Sequence, residues 1–152
     1  MKNWNRLYTI LKCKFREGAI MNVIVCIDNL NGMLFNSRRQ SRDRNQIADM
    51  FSLVNDAPLY IQSFSAKLLA DTSAVIKDDC LETADKGTYC FIESSSIVNY
   101  KDRIEDLVVY RWNRDYPADF YFDVDLSDWV CVDRVDFEGF SHEKITREIY
   151  RK

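Results

Sequence analysis

Along this chain, short unbroken apolar runs are separated by polar turns, and one stretch repeats with helical period. Val23-Ile24-Val25-Cys26-Ile27 is closed by the polar turn Asp28-Asn29-Leu30-Asn31 and followed at once by Gly32-Met33. A run without polar interruption predicts a strand covered on both faces, with a loop placed where a ligand can sit. The next stretch, Asn36 to Arg44, is polar and rich in arginine. Ile47, Met50, Phe51 and Val54 then fall at i, i+3, i+4 and i+7, which predicts a helix with one buried face. Ser41 or Asp43 is placed to cap its start, and Asn55-Asp56-Ala57-Pro58 ends it. Leu59-Tyr60-Ile61 predicts a short buried strand, and Ser63 or Ser65 is expected to cap a second helix through Ala66 to Leu69.

From Asp71 to Lys86 the pattern is weak and predicts a short helix among loops. Tyr89 to Ile92 is a further interior strand, ended by Glu93-Ser94-Ser95-Ser96. Leu107 to Tyr110 predicts another strand, and the acidic stretch Asp115 to Asp128 a long connection. Trp129 to Val132 and Val135 to Phe137 form one strand or a bulged pair. Ile145 to Tyr150 alternates as a half-exposed antiparallel strand does. Helices among early strands and antiparallel strands late imply a mixed sheet in one α/β domain.

Composition changes this picture little. With 152 residues the chain can bury a full core as a single domain. A net charge of -3 predicts no general attraction to nucleic acid or anionic membrane. No apolar run is long enough to span a bilayer. Five cysteines without a CxxC pair argue against a disulfide framework or zinc site, and a reducing cytoplasm is the expected compartment. Residues 1–20 differ from the rest, being basic, with Trp4, Leu7, Ile10 and Leu11 at helical spacing. An amphipathic helix is one reading. The other is that Arg16-Glu17-Gly18 reflects a translated ribosome-binding sequence, with the native start at Met21 and a domain of residues 21–152.

Several segments in this order carry a resemblance. They are the first strand with Gly32-Met33, Asp43 at a helix start, Pro58-Leu59-Tyr60-Ile61-Gln62-Ser63-Phe64-Ser65, Tyr110-Arg111-Trp112-Asn113 through Asp119-Phe120-Tyr121-Phe122, Asp128-Trp129 and Glu148-Ile149. Together they resemble dihydrofolate reductase over roughly residues 21–152. The resemblance implies a three-layer α/β domain with a central mixed, mainly parallel sheet and antiparallel C-terminal strands. It implies that Gly32 and Met33 lie in a mobile substrate loop and that Asp43 is the carboxylate that binds a pterin-like ring. The loop before Asp43 is one residue shorter than in the family. NADPH is the implied cofactor, with Ser63 and Ser65 at its phosphate and Ser94, Ser95 and Ser96 along the pyrophosphate turn.

The departures fall on that cofactor. Glycines let backbone approach a pyrophosphate closely, and here Glu93-Ser94-Ser95-Ser96 adds side chains and a negative charge. The phosphate motif has become Gln62-Ser63-Phe64-Ser65, which keeps a hydroxyl and loses the cation. The adenine-side segment is much shorter. Tyr110 stands where the family has the threonine that supports the carboxylate.

The remaining chemistry lies in a few polar groups. Arg38, Arg39, Arg42 and Arg44, with Asn36, Gln40 and Ser41, can grip a phosphate or carboxylate near a helix start. Alternatively these arginines pair with the acidic stretch from Asp115 to Asp128. Asp43 reads as a helix cap or as a catalytic carboxylate. His142, the single histidine, is expected in an exposed turn; acid–base chemistry or phosphate binding is its other reading, with His142 or Lys144 as a helper of Arg38, Arg39 and Arg42. One histidine excludes a histidine-rich zinc hydrolase, and no metal is expected. Asp119, Asp123 and Asp125 lack a calcium-loop pattern. The aromatic stretch Trp112 to Phe122 is expected to cover the sheet rather than stack bases. Two function classes remain. One is a divergent NADPH-dependent reductase of a flat heterocycle, using Asp43, Tyr110 and His142. The other is a non-redox anion, nucleotide or RNA binder (or nuclease) using the arginine-rich segment. Oligomeric state is open.

Overall fold

The protein is described by a computed structural model covering residues 18–152. The expected amphipathic helix of residues 4–11 lies outside the described residues. Twelve elements organise the described chain. They are β1 (Met21–Ile27), β2 (Gly32–Phe35), β3 (Arg38–Arg39), α1 (Arg44–Val54), β4 (Leu59–Ile61), β5 (Val75–Ile76), α2 (Cys80–Thr83), β6 (Tyr89–Phe91), β7 (Ile104–Arg111), β8 (Phe120–Tyr121), β9 (Val130–Phe137) and β10 (Ile145–Arg151).

Seven strands form one sheet in the order β5-β4-β6-β1-β7-β10-β9, and β3-β2-β8 form a small second sheet. The pairs β5–β4, β4–β6, β6–β1 and β1–β7 are parallel. Both pairs of β10, to β7 and to β9, are antiparallel. The sheet is therefore mixed and mainly parallel, with an antiparallel C-terminal edge.

A separate core fills each face. Met21, Val23, Val25 and Ile27 of β1 join Cys80, Leu81 and Ile97 on one side. Ile24 joins Met50 and Val54 of α1, Val108 and Tyr110 on the other. A central parallel strand has no solvent face, which is why β1 reads as an unbroken apolar run. The helical stripe holds as well: Met50 and Val54 are buried, and Ile47 and Phe51 pack partly exposed on the same core. Asn55 ends α1 with φ 54°, its N–H bonded to Phe51 O at 2.9 Å.

Four local expectations need correction. The second helix is absent: Ser63–Ser65 is one 3₁₀ turn, continued by a single bond from Leu69 N to Ser65 O at 3.3 Å. The arginine-rich segment is not all loop. Phe35 pairs with Arg38 and Leu34 with Arg39, leaving Asn36-Ser37 as a two-residue turn with φ of 50° and 60°. Both signs are those of a type I′ hairpin. The long acidic connection contains β8, which pairs with β2. The weakly patterned region contributes the edge strand β5 besides its short helix. The C-terminal apolar segments make one strand, β9, with an irregular register opposite Ile149–Tyr150.

Candidate functional site

The N-terminus of α1 holds the densest polar cluster. Asp43 is its N-cap and accepts bonds from Asn45 N at 2.8 Å and Gln46 N at 3.4 Å. The same carboxylate accepts Phe140 N and Ser141 N, each at 2.9 Å, from the turn before β10. Its Oδ2 also meets His142 Nδ1 at 2.8 Å. Burial alone would raise the carboxyl pKa. The bonds from Phe140, His142, Ser141 and Asn45 outweigh it and hold Asp43 well below the usual carboxylate range. Gly139 makes the approach possible, because a Cβ there would lie 2.6 Å from His142 O and 2.8 Å from Asp43 Oδ2.

His142 is not in an exposed turn, as its sequence context suggested. Its side chain is 1% exposed. The ring stacks on Trp112 with centroids 4.7 Å apart and meets Tyr116 edge-on. Nε2 lies 3.0 Å from both Ser41 Oγ and Tyr116 OH. The sequence concealed this because an isolated polar tetrapeptide carries no burial signal. What encloses His142 is Trp112 and Tyr116, brought from the end of β7 and the loop beyond it.

A second cluster occupies the crevice beyond β4 and β6. Arg39 makes a bidentate pair with Glu93, at 2.7 and 2.6 Å. Ser65 Oγ donates to the same carboxylate at 2.6 Å. Nearby, Ser63 donates through its N and Oγ to Asp78, at 2.6 and 2.7 Å. Ser95 donates to Gln62 Oε1 at 3.0 Å, and Ser96 donates to Asp123. These hydroxyls and Arg39 are matched to internal carboxylates and an amide. Two carboxylates hold the hydroxyls that the resemblance assigns to a dinucleotide phosphate, and they are the wrong charge for one, so the residues present do not fit that group.

The arginine-rich segment meets the surface differently. Phe35, Asn36, Arg38, Arg39, Gln40, Tyr116 and Pro117 line one open cleft of about 560 Å³. Arg38 and Arg42 form no ion pair among the described residues. Arg44 lies over the Phe140 ring at 4.4 Å. None of the four arginines pairs with the acidic stretch from Asp115 to Asp128, which corrects the alternative reading of that charge run. Arg42 lines a separate hollow of about 440 Å³ with Asp43, Arg44 and Phe140. Gly32 is packed tightly, a Cβ there meeting Ala118 at 2.7 Å and Asp28 at 2.8 Å. Met33 is buried beside it and lines a recess of about 10 Å³ with Arg39, Gln40 and Ser41.

Tyr110 does not touch Asp43. Its hydroxyl donates to Asp49 Oδ2 at 2.6 Å, and burial, then Asp49, pushes its pKa up. Asp49 also pairs with Arg147 at 2.9 Å. Lys144 is exposed and lies 4.0 Å from Asp136. No group of three or more metal-ligating side chains occurs among the described residues, and no described helix is long and apolar enough to cross a membrane. Sequence reasoning missed Glu93 as an arginine partner, and Ser41, Trp112 and Tyr116 as partners of His142. It also missed Asp28, whose buried carboxylate ties Leu30 N and Gly32 N to Gln40 and Tyr116 N.

No protein-family model and no curated protein sequence matches this chain. Among solved structures, it is similar to a dihydrofolate reductase from Enterococcus faecalis complexed with NADP(H) and RAB-propyl. The likeness has a TM-score of 0.63 and 11% sequence identity, covering 87% of this chain and 95% of that one. The fold is therefore dihydrofolate-reductase-like. At that identity the likeness carries the fold and nothing finer.

Proposed function

We propose that this chain uses the dihydrofolate-reductase-like fold as a non-redox binder of a compact anion, such as a nucleotide or another phosphorylated small molecule. The observation that carries the reading is the convergence of Asn36, Arg38, Arg39 and Gln40 on one cleft with Tyr116 and Pro117. Arg38 supplies an unspent guanidinium, and Tyr116, Phe35 and Pro117 supply an apolar wall for a ring. A reductase would need a hydride source, and the hydroxyls expected at its phosphate are engaged by Asp78 and Glu93. Asp43, the carboxylate expected to bind a pterin, is already bonded to backbone and to His142. Asp119 accepts Asn36 N at 3.0 Å, and Asp115 accepts Asn29 at 2.9 Å. Carboxylates so close to the cleft favour a small anion over a nucleic-acid strand.

Thermal unfolding with inorganic phosphate, ATP or NADPH tests this. A ligand at one hundred times its Kd stabilises a folded protein by about 2.7 kcal/mol. Phosphate or ATP should raise the unfolding temperature, and added salt should weaken the effect. Arg38→Ala should weaken binding roughly tenfold, as expected for one charge-assisted contact. Glu93→Gln, which releases Arg39 from its carboxylate, should strengthen it. Oxidation of NADPH with a dihydropterin, undiminished by Arg38→Ala, would sink the proposal.

A further inference from the structure

The cluster at the start of α1 has an arrangement that anion binding does not use. We propose that Ser41, His142 and Asp43 form a nucleophilic relay that hydrolyses small carboxylic esters. The polar contacts run in one line: Asp43 Oδ2 to His142 Nδ1 at 2.8 Å, and His142 Nε2 to Ser41 Oγ at 3.0 Å. With Asp43 ionised, a neutral His142 carries its proton on Nδ1, and its Nε2 lone pair then faces the hydroxyls of both Ser41 and Tyr116. These are the distances and roles a base-activated serine requires, whatever fold carries them.

The surroundings hold the relay in register. Trp112 stacks on the imidazole, and four backbone N–H groups fix Asp43. Tyr116 OH lies 3.3 Å from Ser41 Oγ, within reach of an oxyanion forming on a carbonyl bonded to that atom. Gln40 Oε1 is a buried acceptor without a partner among the described residues, and Gln40 lines both the recess at Ser41 and the larger cleft.

The chemistry balances without a cofactor. Ser41 Oγ bonds to the acyl carbon as its proton passes to His142 Nε2, and the ester C–O bond breaks as that proton goes to the departing oxygen. Water then attacks the acyl carbon and gives its proton to Nε2. The Ser41–acyl bond breaks as Nε2 returns that proton to Ser41 Oγ, and the acid leaves. The recess beneath Ser41, about 10 Å³, holds roughly one water, so the acyl group sits on the half-exposed side of Ser41 instead. A preference for anionic esters rests on the arginine-cleft proposal; the nucleophile itself does not.

The test uses the full chain and a small neutral probe, diisopropyl fluorophosphate, with intact mass and peptide mapping. One adduct is expected, on Ser41, with p-nitrophenyl acetate hydrolysed above the solution rate. Ser41→Ala removes only contacts to His142 and Tyr116, and circular dichroism checks that it folds. It should lose the adduct and at least tenfold of the hydrolysis. Val132→Lys, on the exposed edge strand β9, should keep both, and because the probe is neutral its adduct reads the relay whether or not the cleft binds an anion. No adduct on the folded wild type, an adduct on Tyr116, or unchanged hydrolysis in Ser41→Ala would each overturn the proposal.

Discussion

Asp43 joins two parts of the chain through one carboxylate. Capping by Asp contributes about 1 kcal/mol, and the bonds to Phe140, Ser141 and His142 tie the turn before β10 to α1. Its pKa lies below the unfolded value. The stabilisation it gives is therefore fully present above the unfolded carboxylate pKa of about 4 and is lost as pH falls toward the folded value. Asp43→Asn should lower stability at neutral pH by roughly 2–4 kcal/mol, because it also leaves His142 without its buried partner. Its acid limb below about pH 4 should be flatter than that of the wild type. Urea unfolding across pH 2–7 checks this, and parallel acid limbs would show that Asp43 titrates with its unfolded pKa. The capping role was legible from position, since an aspartate preceded a helical stripe. The histidine was not, because its partner lies 99 residues away.

At the level of elements, the β2–β3 hairpin turns through two consecutive non-glycine residues with positive φ. Ser37 holds φ 60° at a turn position where glycine has no Cβ penalty. Ser37→Gly should stabilise the protein by about 0.5–1 kcal/mol and leave the cleft's arginines in place, readable as a higher midpoint in chemical denaturation. A lower midpoint would mean that the serine is held by more than its backbone. The missing helix after Ser65 teaches a related point. Ala66 to Leu69 has good helix formers, yet so short a segment cannot repay helix nucleation, and only Leu69 there is fully buried. Ser65 spends its hydroxyl on Glu93 instead of capping. Capping residues and propensity suggested a helix; the available burial allowed one turn.

Across the whole molecule, the sheet ends in strands of opposite character to its centre. β9 is an edge strand with Val130 62% and Val132 49% exposed. Exposed apolar edges invite pairing with another chain, and charge on such an edge suppresses it. Val132→Lys should reduce light scattering of concentrated protein while moving the unfolding midpoint by no more than about 0.5 kcal/mol. Unchanged scattering would show that association, if present, uses another face. The sequence by itself determined the central strands, the phase of α1, and the parallel-then-antiparallel order of the sheet. Burial imposes a period that is written locally, and the order of elements limits how strands can neighbour one another. Only the tertiary structure decided which charges meet. Arg39 closes on Glu93 54 positions away, and Asp43, His142, Ser41, Trp112 and Tyr116 converge from three separate stretches of the chain. A charged side chain carries no signature of its partner, because that partner is chosen by how the layers pack rather than by neighbours in the chain.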